Sequence, residues 1–199
     1  MGRDTIYGDA GNDALYGGGG YDFLHGGDGD DYLRGDDQAD KLYGDAGNDL
    51  IEGGDGKDKL FGNTGDDTLV GGNDEDRIIG DVGNDALYGD AGNDTLRGQG
   101  DDDLLDGGTG NDLLYGGTGS DIFLFADGDG IDTIGDFDAL DPLEQIDISA
   151  VSAIENWDDL AENHLIDHAG TVEIFIDDGQ SIFLQGVAFE DLDASDFLF

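Results

Sequence analysis

From Gly8 to Leu124 the sequence repeats every nine residues without an insertion. Position one of each unit is Gly, from Gly8, Gly17 and Gly26 through Gly107 and Gly116. Position six is always Asp: Asp4, Asp13, Asp22, Asp31, Asp40, Asp49, Asp58, Asp67, Asp76, Asp85, Asp94, Asp103, Asp112 and Asp121. Position eight is always apolar, running Ile6, Leu15, Leu24, Leu33, Leu42, Ile51, Leu60 and on to Leu114 and Phe123. Glycine opens the positive-φ region that a sharp turn needs. Three residues pointing outward, inward and outward make the shortest useful strand. A chain written this way is a series of turns and short strands with only position eight directed inward.

The charge is as biased as the spacing. Asp and Glu number 50 against 7 Lys and Arg, a net charge of -43. All seven cations lie between Arg3 and Arg97. Such a field repels nucleic acid, anionic lipid and anionic polysaccharide, and calls for a cationic partner. Disorder is the usual fate of an acidic, Gly-rich chain, but this one has a period. Only Glu52 and Glu75 are Glu in the first 121 residues, so the short carboxylate is selected at fixed places. Cysteine is absent, which removes disulfides and thiolate metal sites. The start, MGRDTIYGDAG, has no signal-peptide core, and no apolar run approaches membrane-spanning length. The chain opens in mid-repeat, which points to a piece of something longer.

The repeat matches G-G-x-G-x-D-x-U-x with U apolar, and on these residues the chain resembles the RTX, or hemolysin-type calcium-binding, family. The resemblance implies an all-β fold, a right-handed parallel β-roll (a β-solenoid of nonapeptide repeats) with two units, 18 residues, per coil. Coils stacked at about 4.8 Å bring Asp13 beside Asp31 on one edge and Asp22 beside Asp40 on the other. Two bare carboxylates about 5 Å apart repel by roughly 3 kcal/mol at an effective dielectric near 20. A column of them requires a cation in each gap. Carboxylate and carbonyl oxygen, without His or Cys, select a hard ion, Ca2+. Asp132, with Gly130 and Ile134, reads as a degenerate fifteenth loop carrying two inserted residues. Fifteen loops predict roughly 10 to 13 calcium ions and a chain that folds when it binds them. Gln38, replacing Gly at position four, marks the weakest loop.

Outward positions vary. Position nine of alternate units reads Tyr7, His25, Tyr43, Phe61, Ile79, Arg97 and Tyr115, beside Phe23, Lys41, Lys59 and Arg77 at position seven. This least acidic face suits either docking to a partner or the ordinary strand preference of aromatics. Thr64, Thr109 and Thr118 are too few and too scattered for an ice-binding array.

The expected division is a calcium-binding roll over 1–124 and a β-rich cap over 125–199. In the cap QIDISAV reads as a strand, IENWDDLAENHLI as one short helix, and TVEIFIDDGQSIFLQGV as a hairpin turning at Asp178 and Gly179. The resemblance further implies an uncleaved C-terminal signal, acidic and ending in apolar residues as Asp196, Phe197, Leu198 and Phe199 do. It implies export by the type I secretion machinery of a Gram-negative bacterium and a secreted, extracellular destination, with an upstream domain of the same protein as a further partner. No catalytic constellation emerges. HLIDH lacks the Glu of a zinc protease, Ser120 in GTGSD sits in a repeat turn, and every Asp pair recurs with the repeat. The expected function is a calcium-dependent folding and secretion module and not an enzyme. The alternatives are an accessory domain of a secreted protease, lipase or alginate epimerase, or an adhesion or ice-binding scaffold.

Overall fold

The computed structural model describes residues 2–177 and 179–199. Six-residue strands follow one another with three-residue turns: β1 (Thr5–Ala10), β2 (Ala14–Gly19), β3 (Phe23–Asp28), β4 (Tyr32–Asp37), β5 (Lys41–Ala46), β6 (Leu50–Asp55), β7 (Lys59–Thr64), β8 (Thr68–Asn73), β9 (Arg77–Val82), β10 (Ala86–Ala91) and β11 (Thr95–Gly100). They continue through β12 (Leu104–Asp106), β13 (Leu113–Thr118), β14 (Ile122–Ala126), β15 (Ile131–Ile134) and β16 (Gln145–Ala150). Among the described residues, odd strands from β1 to β15 form one parallel sheet and even strands from β2 to β16 the other. Each pairs with the strand one coil away, as Thr5 with Phe23 and Tyr32 with Leu50. The parallel β-roll that the resemblance implies is the observed architecture.

Two details differ from the minimal strand of three residues. Each strand runs from position seven through position three of the next unit, because glycine and the short polar residues there keep pairing through the bend. The interior is also wider than one column. Position eight is sealed from Leu24 to Phe123, yet the glycines at position one from Gly26 to Gly116 and most of the position-six Asp are buried as well. Aliphatic side chains form a thin central seam with a row of carboxylates along each edge.

Past β14 the two sheets carry on into the cap. Residues Trp157–Asp159 form a single helical turn, α1, capped by the Asn156 side chain accepting from the Asp159 N–H, and a π-helical turn follows over Leu160–His164. Then come β17 (Leu165–Asp167), β18 (Thr171–Asp177), β19 (Gln180–Gln185) and β20 (Phe197–Leu198). The expected hairpin is the antiparallel pair β18–β19; its Asp178 lies outside the described residues. β19 adds to β15 and β20 to β16, so the last parallel edges are covered by cap strands. Covering those edges removes the unpaired backbone groups that invite further pairing. Ile146, Ile148, Val172, Ile174, Ile182 and Leu184 give the cap a core continuous with the seam. No helix among the described residues is long and apolar enough to cross a membrane.

Candidate metal centre

The fifteen Asp picked out by spacing fall into two columns, one per edge. Asp4, Asp22, Asp40, Asp58, Asp76, Asp94 and Asp112 lead into odd strands and Asp132 lies within β15; Asp13, Asp31, Asp49, Asp67, Asp85, Asp103 and Asp121 lead into even strands. Asp4, on the outermost coil, is exposed and Asp13 half-buried, while the other thirteen are at most 5% exposed. Within each column one carboxylate oxygen, Oδ1, accepts the backbone N–H of the Asp one coil earlier. Asp22 accepts from Asp4 at 2.7 Å, Asp40 from Asp22 at 2.6 Å, and Asp121 from Asp103 at 2.9 Å. The link from Asp112 to Asp132 has the same form at 2.9 Å although 20 residues separate them. Asp132 thus continues its column, and the two extra residues are absorbed in the loop.

The second oxygen is the informative one. In twelve of these residues, from Asp13 to Asp112, Oδ2 is buried without a hydrogen-bond partner. An unsatisfied buried oxygen costs about 1–3 kcal/mol, more when charged. Twelve orphans in two regular rows are a pattern that fits oxygen donors to a cation.

Position one explains where these oxygens point. Gly8, Gly53 and Gly71 have ordinary backbone angles, so their glycine is not there for the turn. A Cβ on Gly53 would lie 2.6 Å from Oδ2 of Asp58 in its own loop and 2.5 Å from the carbonyl oxygen of Gly71 on the next coil. At Gly8 the corresponding distances are 2.8 Å to Asp13 and 2.5 Å to Gly26. The space a methyl would fill is a cradle where carboxylate and carbonyl oxygens of adjacent coils converge. The positive φ expected of the turn occurs instead at positions two and four. There Asp45, Asn63, Gln99 and Gln38 adopt it alongside Gly, with φ of 77° at Gln38.

Burial also sets the charge state. It is the leading cause raising Asp40, Asp49, Asp85, Asp94 and Asp121 to about 6, Asp58, Asp67 and Asp132 to about 7, and Asp76, Asp103 and Asp112 to about 8. Backbone N–H donors oppose the shift, and neighbouring carboxylates add to it. An ion bound to Oδ2 would reverse that direction. Among the described residues no three His, Cys, Asp or Glu side chains gather as a ligand set. For an ion held at these loops, the carbonyl oxygens of adjacent coils that lie beside each Oδ2 would supply further ligands. An all-oxygen set with one free carboxylate oxygen per loop fits a hard, flexibly coordinated ion.

One residue escaped the spacing. Gln145 pairs with Ile122 and Ile146 with Phe123, which places Glu144 in the register of position six, next after Asp121. Glu144 is 5% exposed and burial pushes its carboxyl up to about 8. The signal was present as E-Q-I, an acid two residues before an apolar one, but 23 residues separate Glu144 from Asp121 and the repeat has lost its glycines. On the other edge Ile182 takes the register of position six after Asp132 and ends the column. The three histidines have partners elsewhere: His25 Nδ1 lies 3.0 Å from Asp45, His164 Nδ1 2.6 Å from the Phe175 carbonyl, and His168 Nε2 2.7 Å from Glu173.

A family model described as the RTX calcium-binding nonapeptide repeat (4 copies) matches residues 2–24, 25–60, 52–87, 61–96, 88–123 and 97–134. No curated protein sequence matches the chain. Among solved structures, the extracellular lipase LipA from Serratia marcescens is similar over 92% of this chain and 40% of its own, at 19% identity and a TM-score of 0.50. The AlgE6R2 subunit of the Azotobacter vinelandii mannuronan C5-epimerase is similar over 65% of this chain and 91% of its own, at 27% identity and a TM-score of 0.49. The chain spans less than half the length of the lipase.

Proposed function

The chain belongs to the RTX calcium-binding nonapeptide-repeat family, and from that premise we propose that it is a folding module whose position-six Asp hold calcium along both edges. The observation that carries this reading is the double row of buried, partnerless Oδ2 atoms facing carbonyls of the next coil. Bound calcium supplies two positive charges and accepts six to eight oxygens with loose geometry. Asp4, Asp132 and the thirteen Asp between them supply the carboxylates, and the position-one glycines keep the cradle open. Residues 1–124 then carry the regular calcium repeats, and 125–199 form the cap that closes them and holds the degenerate loop of Asp132. Roughly 10 to 13 ions would cancel 20 to 26 of the negative charges.

The same chemistry supports export. At the low calcium level of a cytosol the carboxylate columns repel and the chain stays extended, the form a narrow type I exporter can pass; outside, calcium folds it. Phe197 is buried and β20 pairs with β16, so a C-terminal signal at Asp196–Phe199 has to be read before the cap forms. A secreted protein of a Gram-negative bacterium is the setting that fits. The lipase is longer than this chain, which favours, as a second reading, an accessory domain serving an enzyme domain on the same polypeptide. Equilibrium dialysis and native mass spectrometry test the main proposal. About ten or more calcium ions per chain, undisplaced by equal magnesium, support it; two or three ions overturn it.

A further inference from the structure

The outer face of the even-strand sheet carries little charge for so acidic a chain. Its outward side chains come from positions seven and nine of β2 to β14, and of these fourteen only Arg34, Glu52 and Asp106 are charged. Leu50, Val70, Tyr88, Leu104, Ile122 and Leu124 supply most of the rest. Each strand pairs in register with the one a coil away, so these side chains form straight rows along the roll. Position two flanks the rows with Asp36 and Asp90, set among Gly18, Gly54, Gly72 and Gly108. Arg34 Nε lies 2.6 Å from Asp36, and the Tyr32 hydroxyl donates to Glu52 at 2.8 Å. Asp106 accepts the Gly108 N–H on one oxygen at 3.0 Å. The two ends of the face differ in relief. Tyr16 stands out at one end, 56% exposed. At the other lies a hollow of about 210 Å³, walled by Asp106, Leu124, Phe125 and Ala126 and by Asp147, Ser149 and Ala150.

We propose that this face is the contact between two copies of the chain, packed sheet on sheet about a two-fold axis that runs along β8. Such an axis reverses the order of coils, so β6 meets β10 of the second copy, β4 meets β12 and β2 meets β14. The face is then complementary to itself. Arg34 falls opposite Asp106, and Glu52 opposite the hydroxyl-bearing Tyr88. Large meets small or apolar at position seven, with Leu50 opposite Ala86 and Tyr32 opposite Leu104. Asp36 and Asp90 fall opposite Gly108 and Gly54. Tyr16 meets Leu124 beside the hollow, where Phe125 gives its ring an apolar wall and Asp147 gives its hydroxyl an acceptor.

Charge selects this axis over its neighbours. An axis along β6 sets Glu52 against its own copy, and one between β6 and β8 sets Asp36 against Asp90. An axis between β8 and β10 sets Glu52 against Asp106, and one along β10 sets Asp90 against Asp90. Only the β8 axis brings no acid against an acid in these rows, and it also pairs the one cation of the face. Seven strands at ~4.8 Å spacing, with two outward rows ~7 Å apart, make a footprint of about 30 by 12 Å. That is below the ~800 Å² per partner of a standard interface, so the dimer is a reversible one. The net charge of the chain opposes self-association, so the proposal rests on the calcium-loaded roll proposed above, in which the buried Asp columns are neutralised and the nearly uncharged face governs close approach.

The test uses the full chain in millimolar calcium, with circular dichroism read on every sample. Sedimentation equilibrium over a concentration series is expected to show a monomer–dimer equilibrium with a micromolar or weaker dissociation constant. Arg34→Asp and Asp106→Arg should each weaken it about tenfold or more, the scale of a lost interfacial charge pair. The double variant re-forms both pairs with the signs exchanged and should recover most of the affinity, while Lys59→Asp on the other sheet should dimerise as the parent does. The chain has no cysteine, so Val70→Cys places one thiol from each copy across the axis. A short bismaleimide should link those thiols, and should leave Tyr43→Cys, on the odd-strand sheet, as monomer. A dimer indifferent to both charge changes, or cross-linked as well through Tyr43→Cys, overturns the proposal. Failure of the parent chain to gain strand signal in calcium would overturn the calcium reading and this one with it; folded protein that stays monomeric at high micromolar concentration overturns this one alone.

Discussion

Replacing Gly71 with Ala asks whether position one is glycine for its backbone or for the space above it. Gly71 has no positive φ, so alanine fits the backbone. Its methyl, however, would lie 2.5 Å from Oδ2 of Asp76 and 2.9 Å from the carbonyl oxygen of Gly89, both inside van der Waals contact. Relieving such an overlap in a packed interior costs about 1–3 kcal/mol, and whichever oxygen retreats is removed from the cradle. The control is Gly18→Asn. Gly18 has φ +86° with open space around it, and Asn63 occupies the same position of another unit at φ 77°. That change should stay within about 0.5 kcal/mol. In calcium titrations followed by circular dichroism, Gly71→Ala is expected to raise the folding midpoint severalfold and to lower the ion count in native mass spectra, with Gly18→Asn close to the parent. A Gly71→Ala protein with the parent's midpoint and full ion count would refute the cradle.

Asp76→Asn keeps an oxygen for the Asp58 N–H but removes the charge that burial disfavours, so it should bind fewer calcium ions while making the calcium-free roll less unfavourable; ion counts and strand signal in chelator read the two effects. The pH dependence follows from the raised carboxyls, whose folded values of about 6 to about 8 exceed the ordinary 3.8. Protons then favour the folded form: without calcium, stability is greatest below about pH 4 and is lost as pH rises through 6 to 8, whereas calcium affinity climbs across the same window as its ligands deprotonate. Strand content of calcium-stripped protein that is no higher at pH 4 than at pH 8 would contradict this. Trp157 is the single tryptophan and its ring lies 5.8 Å from that of Phe197 in the cap. Its emission should shift at the same calcium concentration as the strand signal if cap and roll fold together; a separate transition would show that they do not.

Much of this was legible because a nine-residue period maps directly onto space. Asp and Leu repeated without slippage, so the columns from Asp4 to Asp121 and the seam from Leu15 to Phe123 needed only the coil length to be placed. Asp132 was found across a two-residue insertion because Gly130 and Ile134 kept their offsets around it. Glu144 was missed once the period failed, since its place beside Asp121 is set by strand pairing across a long loop and not by spacing. The role of position one was hidden for another reason: glycine looks the same in a sequence whether it is needed for a positive φ or for a missing Cβ. Position five likewise differs between the edges, with Tyr21, Ala39 and Lys57 on one against Asp30, Asn48 and Asp66 on the other, and the difference gains a meaning only from the coil-to-coil hydrogen bonds that the second row makes.

Without calcium the carboxylate columns should hold the roll open, and with calcium they should close it. Far-UV circular dichroism with small-angle scattering during a calcium titration, reversed with EGTA and repeated with magnesium, measures that on one sample. The expected result is an expanded chain without calcium, a cooperative gain of strand with compaction at about 0.1 to 1 mM calcium, full reversal by EGTA and no equivalent response to magnesium. A compact, strand-rich chain at pH 7.5 in EGTA would contradict it.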